Sequence, residues 1–324
     1  MRIMVYLEKS AVRGGIEVFA ERHVARLRAE GHEVEVRGDL FPQMRGCASE
    51  GGSGGQFDAF DEIVVHKCSD VATLETFPPE KTVFYVHDHE PICPRGYAYT
   101  PLKRNCVRRG GIWPCMLCAP ACRSWRAALG RVLSQRRRIK AMARFKRIVV
   151  ISEFMKSRLV ANGLPPDLIS VEPPRIAVDG MDGADGAVPG GIDLLYVGQL
   201  IRGKGVHLLL EAMARMRTPR TLDIVGTGNM EGELKALAVR SGLGGRVRFR
   251  GFQKDPLAWM RRAACVVVPS FWQEPYGLVA AEAVALGRPV VAFAIGGLPE
   301  ACGGKATLVP PGDVAALAEA LEKK

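Results

Sequence analysis

The amino-acid sequence predicts an α/β protein with two domains, each built on a parallel sheet. Short apolar runs of strand type alternate with amphipathic helical stretches from the start of the chain, for example residues 2–7 and then 16–30. Such alternation indicates βαβ units, whose sheets are parallel. The pattern pauses in a Pro-rich and then Gly/Asp-rich stretch at 172–191 and afterwards restarts. We therefore predict two Rossmann-like domains, 1–175 and 176–324, with a linker between them.

The individual elements follow from apolar spacing and from turn residues. In the first half we predict a helix that ends at Gly31, a helix capped by Ser152 and closed by Gly163, and strands at 32–37, 62–65, 82–86 and 147–151. In the second half we predict strands at 193–197, 221–225, 247–250, 265–269 and 289–294, and helices at 207–216, 232–242, from about 277, and at 314–321.

Parallel sheets bind ligands at the carboxyl ends of their strands. Two sheets that face each other would line an interdomain cleft with these ends. We therefore expect functional residues in the loops that run from a strand to the following helix.

The chain is basic, with 45 Lys and Arg against 34 Asp and Glu, a formal net charge of +11. Residues 123–147 contain many cations and no acidic side chain. This segment predicts either a solvated helix face or contact with an anion such as a lipid headgroup or a phosphate. Nucleic acid is not expected, because the segment matches no binding motif.

The sequence begins with a strand pattern rather than a charged and then apolar leader. No uncharged stretch approaches the roughly 18 residues that a membrane span needs. We expect a cytoplasmic protein, either free or resting on the inner face of the membrane.

The loop GQLIRGKG at 198–205 connects a predicted strand to a predicted helix. The glycines Gly198 and Gly205 let backbone amides approach an anion, the helix N-terminus adds partial positive charge, and Lys204 adds a full charge. This combination suits a diphosphate, although the spacing is not that of a P-loop. The alternative is a plain glycine turn with a surface lysine. Gly226, Gly228 and Phe252 follow the next two predicted strands and are weaker signals.

The segment at 266–283, VVVPSFWQEPYGLVAAEA, gives the strongest signal. A buried strand leads into a polar and aromatic loop, and a helix begins near Pro275. Glu274 in the loop can accept hydrogen bonds from sugar hydroxyls, and Glu282 in the helix can accept those of a ribose. Backbone amides at the helix start would point at phosphate oxygens; they belong to Tyr276, Gly277 and Leu278. The alternative is that both glutamates are ordinary helix charges.

Together these loops resemble the donor domain of the retaining glycosyltransferases of family 4, which have the GT-B fold. The Glu274–Glu282 pair resembles that family's two glutamates separated by seven residues. In the N-terminal half, Gly14 and Gly15 resemble its first acceptor-side loop, and His87 resembles its active-site histidine. The resemblance is highly specific at 192–300 and moderate before that.

The resemblance implies transfer of a hexosyl group from a nucleoside diphosphate sugar, with retention at the anomeric carbon. The leaving diphosphate would assist deprotonation of the acceptor on the same face. Lys204 would neutralise the diphosphate, Glu274 would hold the transferred sugar, and Glu282 would hold the ribose. Gly15 amides would contact the diphosphate, and His87 would lie near the reacting centre. No divalent metal is expected. UDP is the first expectation for the nucleotide and GDP the second.

One departure from the family pattern concerns the phosphate cations. Gln199 stands where the family usually has arginine, and Arg202 is a candidate substitute. The acceptor expected is a glycan, a lipid-linked sugar or a small molecule.

A cysteine-rich insert at 93–122 follows His87. Its Cys-x2-Cys spacing is typical of a zinc site, with four ligands to be drawn from Cys93, Cys106, Cys115 and Cys118. A bound metal would order an acceptor-side lid. Free buried thiols and disulfides are the alternatives.

Two other functions compete with glycosyl transfer. A nicotinamide-dependent oxidoreductase is disfavoured because no GxGxxG follows the first strand. A non-catalytic anion- or membrane-surface-binding protein would use the basic segment instead of the donor loops.

Overall fold

The computed structural model describes residues 1–8, 15–38, 55–93, 95–96, 98–100, 105–106, 115, 118, 125–176 and 191–324. These residues form two compact units, Met1–Pro174 and Arg175–Lys324. Each unit is described by itself below.

The N-terminal unit is built on a sheet of six parallel strands in the order β2-β1-β3-β4-β5-β6. The strands are β1 (Arg2–Leu7), β2 (Glu33–Arg37), β3 (Glu62–Lys67), β4 (Thr82–Val86), β5 (Arg147–Val150) and β6 (Ile169–Val171). The described helices are α1 (Gly15–Ala29), α2 (Val71–Thr76), α3 (Trp125–Met142) and α4 (Glu153–Ala161). Apolar clusters cover both faces of this sheet, as expected for parallel strands.

Helix α4 begins with a side-chain cap that the sequence predicts. Ser152 has extended backbone angles, and its side chain accepts a hydrogen bond from the backbone N–H of Met155 at 3.0 Å. This cap satisfies one of the N–H groups that lack a partner within the helix. The predicted serine cap is therefore confirmed.

The C-terminal unit has a second sheet of six parallel strands, in the order β12-β11-β10-β7-β8-β9. The strands are β7 (Ile192–Val197), β8 (Leu222–Val225), β9 (Val247–Gly251), β10 (Ala263–Val268), β11 (Val290–Phe293) and β12 (Thr307–Val309). The helices are α5 (Val206–Arg215), α6 (Glu231–Arg240), α7 (Pro256–Arg262), α8 (Leu278–Ala285), α9 (Leu298–Cys302) and α10 (Val314–Glu322). The two parallel sheets confirm the predicted α/β class.

Most elements that the sequence did not predict are short, and α7 is one of them. The exception is α3, because its basic segment predicts a helix face only as one of two alternatives. Strands β6 and β12 have three residues each, too few to show an apolar alternation. Helices α2 and α9 have fewer than two turns, so their apolar residues do not reveal a helical period. Within the described ranges, no helix is long and apolar enough to cross a bilayer.

The close approach of Gly205 to the backbone of Pro269 makes a testable prediction. The φ of Gly205 is +72°, and a Cβ there would lie 1.8 Å from the carbonyl oxygen of Pro269. We expect Gly205→Ala to destabilise the C-terminal unit by at least about 2 kcal/mol, because left-handed strain adds to a clash with rigid backbone. Urea unfolding measures the change.

Gly232→Ala is the matched control. Gly232 lies inside α6, and nothing is found within 4 Å of its added Cβ. This substitution should stabilise the unit by up to about 1 kcal/mol, because alanine favours helix. Equal effects of the two substitutions would contradict the close approach of the loops.

Candidate functional site

In the C-terminal unit, the loops that follow β7 and β10 meet, because these two strands are neighbours in the sheet. After β7 the chain forms a 3-10 turn, Arg202–Lys204, and Gly205 then opens α5. The backbone N–H groups of Phe271 and Trp272 in the second loop donate to the carbonyl oxygen of Gly203, at 3.1 and 3.3 Å. The two loops are therefore joined by backbone hydrogen bonds.

An ion pair lies at the centre of this junction. Lys204 Nζ is 2.6 Å from Glu274 Oε1, although the two residues are 70 positions apart in sequence. The side chain of Glu274 is 9% exposed and that of Lys204 is 24% exposed. The ammonium group therefore retains access to solvent, whereas the carboxylate is buried.

Three neighbours hold the Glu274 carboxylate in its charged form. Burial alone would raise its pKa, but the charge of Lys204 and hydrogen bonds from Lys204, Ser270 and Trp272 outweigh burial. The pKa of Glu274 is consequently lowered from its ordinary value. The indole Nε1 of Trp272 donates to Glu274 Oε1 at 3.0 Å, and Lys204 Nζ lies 5.3 Å from the centre of the same ring.

Glycines let neighbouring chain segments approach this carboxylate. A Cβ on Gly203 would lie 2.9 Å from the Trp272 ring, and one on Gly296 would lie 2.3 Å from the carbonyl oxygen of Glu274. The backbone N–H of Gly297 also donates to that oxygen, at 2.8 Å. The loop after β11 thus packs against the loop that carries Glu274.

The loop after β8 packs onto the loop after β7 in the same manner. A Cβ on Gly226 would lie 1.9 Å from the carbonyl oxygen of Gly198, and one on Gly228 would lie 2.4 Å from that of Leu200. The structure therefore places Gly198, Gly226 and Gly228 in one backbone cluster at the carboxyl ends of β7 and β8.

The other predicted donor residues lie in the loops after β7 and β9, or just before and within α8. Gln199 is exposed, and its carbonyl accepts a 2.8 Å hydrogen bond from the hydroxyl of Tyr196. Arg202 lies 3.6 Å from Glu233 and is partly exposed. Phe252 follows β9 and is 74% exposed. The remaining ones are partly buried at the start of α8 or within it: Tyr276, Gly277, Leu278 and Glu282.

In the N-terminal unit, His87 belongs to a line of three histidines. His66 Nδ1 is 3.0 Å from His87 Nε2, and His66 Nε2 is 3.0 Å from His23 Nδ1. His66 is the last residue but one of β3 and His87 follows β4, so the two lie at the carboxyl ends of neighbouring strands. His23 comes from α1.

All three imidazoles are held neutral. Burial, and then the charges of Arg26 and Arg147, lower the pKa of His23 to about 4. Burial, together with the potential of His23, lowers the pKa of His87 to about 3. The pKa of His66 is likewise well below its ordinary value, chiefly because of burial.

A cavity next to His87 carries charged groups of both signs. Its lining includes His66, Lys67, Asp88, Glu90 and Arg138. Arg138 Nη1 lies 3.1 Å from Glu90 Oε1, and burial raises the pKa of Asp88. The cavity can therefore offer hydrogen-bond donors and acceptors to a polar ligand.

Of the other predicted acceptor-side residues, Gly15 is the first residue of α1, and Gly14 lies outside the described residues. Most of the cysteine-rich insert also lies outside them. Its four predicted ligands, Cys93, Cys106, Cys115 and Cys118, are described and are free thiols.

The described residues do not support the predicted zinc site. Among them, no group of three or more His, Cys, Asp or Glu side chains could hold a metal ion. Burial raises the pKa of the Cys118 thiol, and the side chain of Arg95 forms a hydrogen bond with it.

Sequence reasoning missed four contributors: Ser270, Trp272, His23 and His66. The two histidines that end neighbouring strands were a usable signal, because adjacent strand ends lie close together in a parallel sheet. His23 could not be placed without knowing which face of α1 packs on the sheet. The hydrogen bond from Trp272 depends on the path of an irregular loop.

Comparison with known proteins bears on the unit that contains Glu274. Residues 191–323 match the family model described as glycosyl transferases group 1. The C-terminal unit is therefore similar in sequence to the group 1 glycosyl transferases. The two parallel sheets and the solved structures described below agree with a GT-B fold.

Curated relatives share part of the chain. It is 41% identical over 139 residues to a glycogen synthase of Mycobacterium tuberculosis, which is 41% of this chain and 33% of the relative. It is 33% identical over 190 residues to a D-inositol 3-phosphate glycosyltransferase of Streptomyces bingchenggensis, which is 51% of this chain and 42% of that enzyme. The chain thus spans less than half the length of these relatives.

Solved structures match along the whole chain. Anabaena HepE in complex with UDP superimposes with a TM-score of 0.70 at 20% identity, covering 100% of this chain and 89% of the other. A glycosyltransferase from Rickettsia africae superimposes with a TM-score of 0.72 at 16% identity, covering 99% and 87%. At these identities the likeness establishes a shared fold.

The ion pair makes a testable prediction. In Lys204→Met the buried Glu274 loses its cation. We therefore expect the free energy of unfolding to fall by about 1–3 kcal/mol at pH 7. The pKa of Glu274 should then rise above its ordinary value. The loss should therefore shrink as the pH falls and the carboxyl takes up a proton.

Urea unfolding at several pH values measures this loss. Lys235→Met is the control, because Lys235 is 54% exposed and pairs with Glu231 only one helical turn away. That variant should change stability by less than about 0.5 kcal/mol. An equal loss in both variants, or one that does not depend on pH, would contradict the account.

The neutral histidines make the N-terminal unit sensitive to acid. An unfolded histidine takes up a proton near pH 6.5, whereas folded His23 does so only near pH 4. Stability is therefore full above pH 6.5 and is lost as the pH falls below it. His23 alone should account for a loss of about 2 kcal/mol at pH 5.

Hydrogen exchange of the β3 and β4 amides at pH 7.5 and pH 5 measures this loss. His23→Leu should reduce the difference between the two conditions, and His32→Gln, at a partly exposed position, should leave it unchanged. If His23→Leu keeps the full acid sensitivity, His23 is not its source.

Proposed function

We propose that the chain is a retaining glycosyltransferase that moves a hexosyl group from a nucleoside diphosphate sugar to a hydroxyl acceptor. The observation that carries the proposal is the buried Glu274 carboxylate paired with Lys204 among glycine-rich strand ends. The match of residues 191–323 to the group 1 glycosyl transferases supports it. UDP is the proposed nucleotide, since Anabaena HepE was solved with UDP and with UDP-glucose.

The proposed donor site uses the residues around this ion pair. Lys204 exchanges part of its contact with Glu274 for the diphosphate, whose charge it neutralises. The N-termini of α5 and α8 supply backbone N–H groups to phosphate oxygens. Glu274 accepts hydrogen bonds from the transferred sugar, and Glu282 accepts those of the ribose. The exposed ring of Phe252 offers a face for the nucleobase.

In the proposed reaction, the bond between the anomeric carbon and the β-phosphate oxygen breaks while the acceptor oxygen bonds to that carbon on the same face. The acceptor proton passes to the departing phosphate oxygen. Positioning and stabilisation of the leaving diphosphate then carry the catalysis. Arg202, which pairs with Glu233 in the structure, is a second proposed phosphate cation in place of an arginine at Gln199. Gly15 and His87 are proposed site residues of the N-terminal unit.

We further propose that the acceptor, or the membrane that carries it, is anionic. Several cations of the basic segment form ion pairs within the chain. Arg137 pairs with Glu75, Arg138 with Glu90 and Lys146 with Glu62. Other members stay exposed along α3 and just after it: Arg126, Arg131, Arg136, Lys140 and Arg144. They lie beside the exposed side chains of Trp125 and Leu133, a combination that suits the surface of an anionic membrane.

Thermal unfolding with UDP, GDP, ADP and NAD tests the donor site. A nucleotide at 100 times its Kd should add about 2.7 kcal/mol, a rise of a few degrees. We expect this rise with UDP. A rise with NAD alone would support an oxidoreductase and contradict the proposal.

Glu274→Ala tests the role of the carboxylate in transfer. We expect loss of sugar transfer from UDP-glucose in an assay with a mixed panel of sugar acceptors, with binding to anionic vesicles retained. Glu319→Gln, on the exposed face of α10, should retain transfer. Full transfer by Glu274→Ala would refute the role proposed for Glu274.

A further inference from the structure

His23, His66 and His87 form a line of two hydrogen bonds with His66 in the middle. His66 is 2% exposed, and both of its ring nitrogens are used, one toward each neighbouring histidine. His87 uses Nε2 in this line, so Nδ1 is the nitrogen that remains for a ligand in the cavity that His87 lines. Phe19 packs edge-on against His66 and His87, with ring centres 5.7 and 4.9 Å apart.

A line of neutral imidazoles has only two consistent arrangements of protons. Each neutral ring carries one N–H and one lone pair, and each contact needs one of each. If His23 Nδ1 donates to His66, then His66 Nδ1 donates to His87, and His87 must carry its proton on Nδ1. If the direction is reversed, His87 Nε2 donates and its Nδ1 is a bare lone pair. The tautomer of His87 is therefore tied to that of His23 through His66.

Electrostatics selects between these two directions. The positive charges that act on His23 come from Arg26 on α1 and Arg147 on β5. Because Nδ1 of His23 faces His66, the opposite nitrogen of the ring is Nε2. These cations shift the pKa of His23 but not that of His66 or His87, so they lie nearer the His23 end of the line. There they favour a lone pair on the outer nitrogen, Nε2, and hence a proton on Nδ1. The donor direction then runs from His23 toward His87.

We propose that His66 and His23 are positioning residues that fix His87 as an Nδ1–H tautomer, a hydrogen-bond donor for an oxygen of the bound substrate. The choice of substrate oxygen as the partner rests on the proposed function. The assignment of the tautomer does not rest on the proposed function. Loss of His66 would free the His87 ring to rotate and to exchange tautomers, so that part of the population would present a lone pair to the substrate.

Nitrogen NMR of protein labelled with 15N-histidine tests the tautomer directly, without substrate. The chain has six histidines, so His87→Gln identifies its signals by their loss. Couplings between the ring nitrogens and ring protons show which nitrogen carries the proton. In the wild type at pH 7.5 we expect a proton on His87 Nδ1. Observation of the Nε2–H form, or of a mixture, would overturn the proposal.

Two variants test the coupling along the line. In His66→Leu and in His23→Leu, the His87 signals should move toward a mixture of tautomers. His207→Gln, in the C-terminal unit, should leave them unchanged. A pure Nδ1–H signal in both variants would show that His66 and His23 do not set the tautomer. Because His23→Leu leaves His66 and His87 in place, it remains informative if His66→Leu does not fold.

Kinetics then separates this inference from the proposed function. With UDP-glucose, His66→Leu should lower kcat by roughly 10- to 100-fold, because the group that orients His87 is lost. The KM of the donor should change little. His66→Gln, which can still donate a hydrogen bond, should recover part of the rate. A locked Nδ1–H tautomer without sugar transfer would refute the function and keep the inference. Sugar transfer by an enzyme in which His87 is a mixture of tautomers would refute the inference and keep the proposed function.

Discussion

The contact between Lys204 and Glu274 is the interaction on which the candidate donor site depends. A carboxylate that is 9% exposed stays charged only if a cation and hydrogen-bond donors surround it. Lys204, Trp272 and Ser270 meet that requirement, and they come from the loops after β7 and β10. Glu274 therefore holds together two loops that are far apart in sequence, and glycines let the loops after β8 and β11 close around them.

The same contact is the basis of the proposal that the site takes an anionic ligand. Lys204 is only partly buried, so its ammonium group can share its charge between Glu274 and an incoming phosphate. Glu274 keeps its donors from Trp272 and Ser270, and these hold the carboxylate in place for sugar hydroxyls. The ion pair thus offers one group of each sign to the proposed ligand, a nucleoside diphosphate sugar.

Sequence reasoning predicted the α/β class and most strands, because buried parallel strands are continuous apolar runs between glycine turns. It also predicted that the loops containing Lys204 and Glu274 carry the donor chemistry. It did not predict their direct contact, because that depends on β7 and β10 being adjacent in the sheet. The roles of Trp272 and His23 depend on side-chain direction and helix rotation, which residue identity does not record. The described residues do not support the predicted zinc site, and cysteine spacing alone does not show whether four sulfurs converge on one point.

The most direct test of the central claim is hydrogen–deuterium exchange of the chain with and without UDP. The account predicts that UDP slows exchange at residues 198–206 and 270–280, the two loops joined by Lys204 and Glu274, and that Lys204→Met weakens this protection. Protection confined to other parts of the C-terminal unit, or equal protection in wild type and Lys204→Met, would contradict the claim that this ion pair organises a nucleoside diphosphate site.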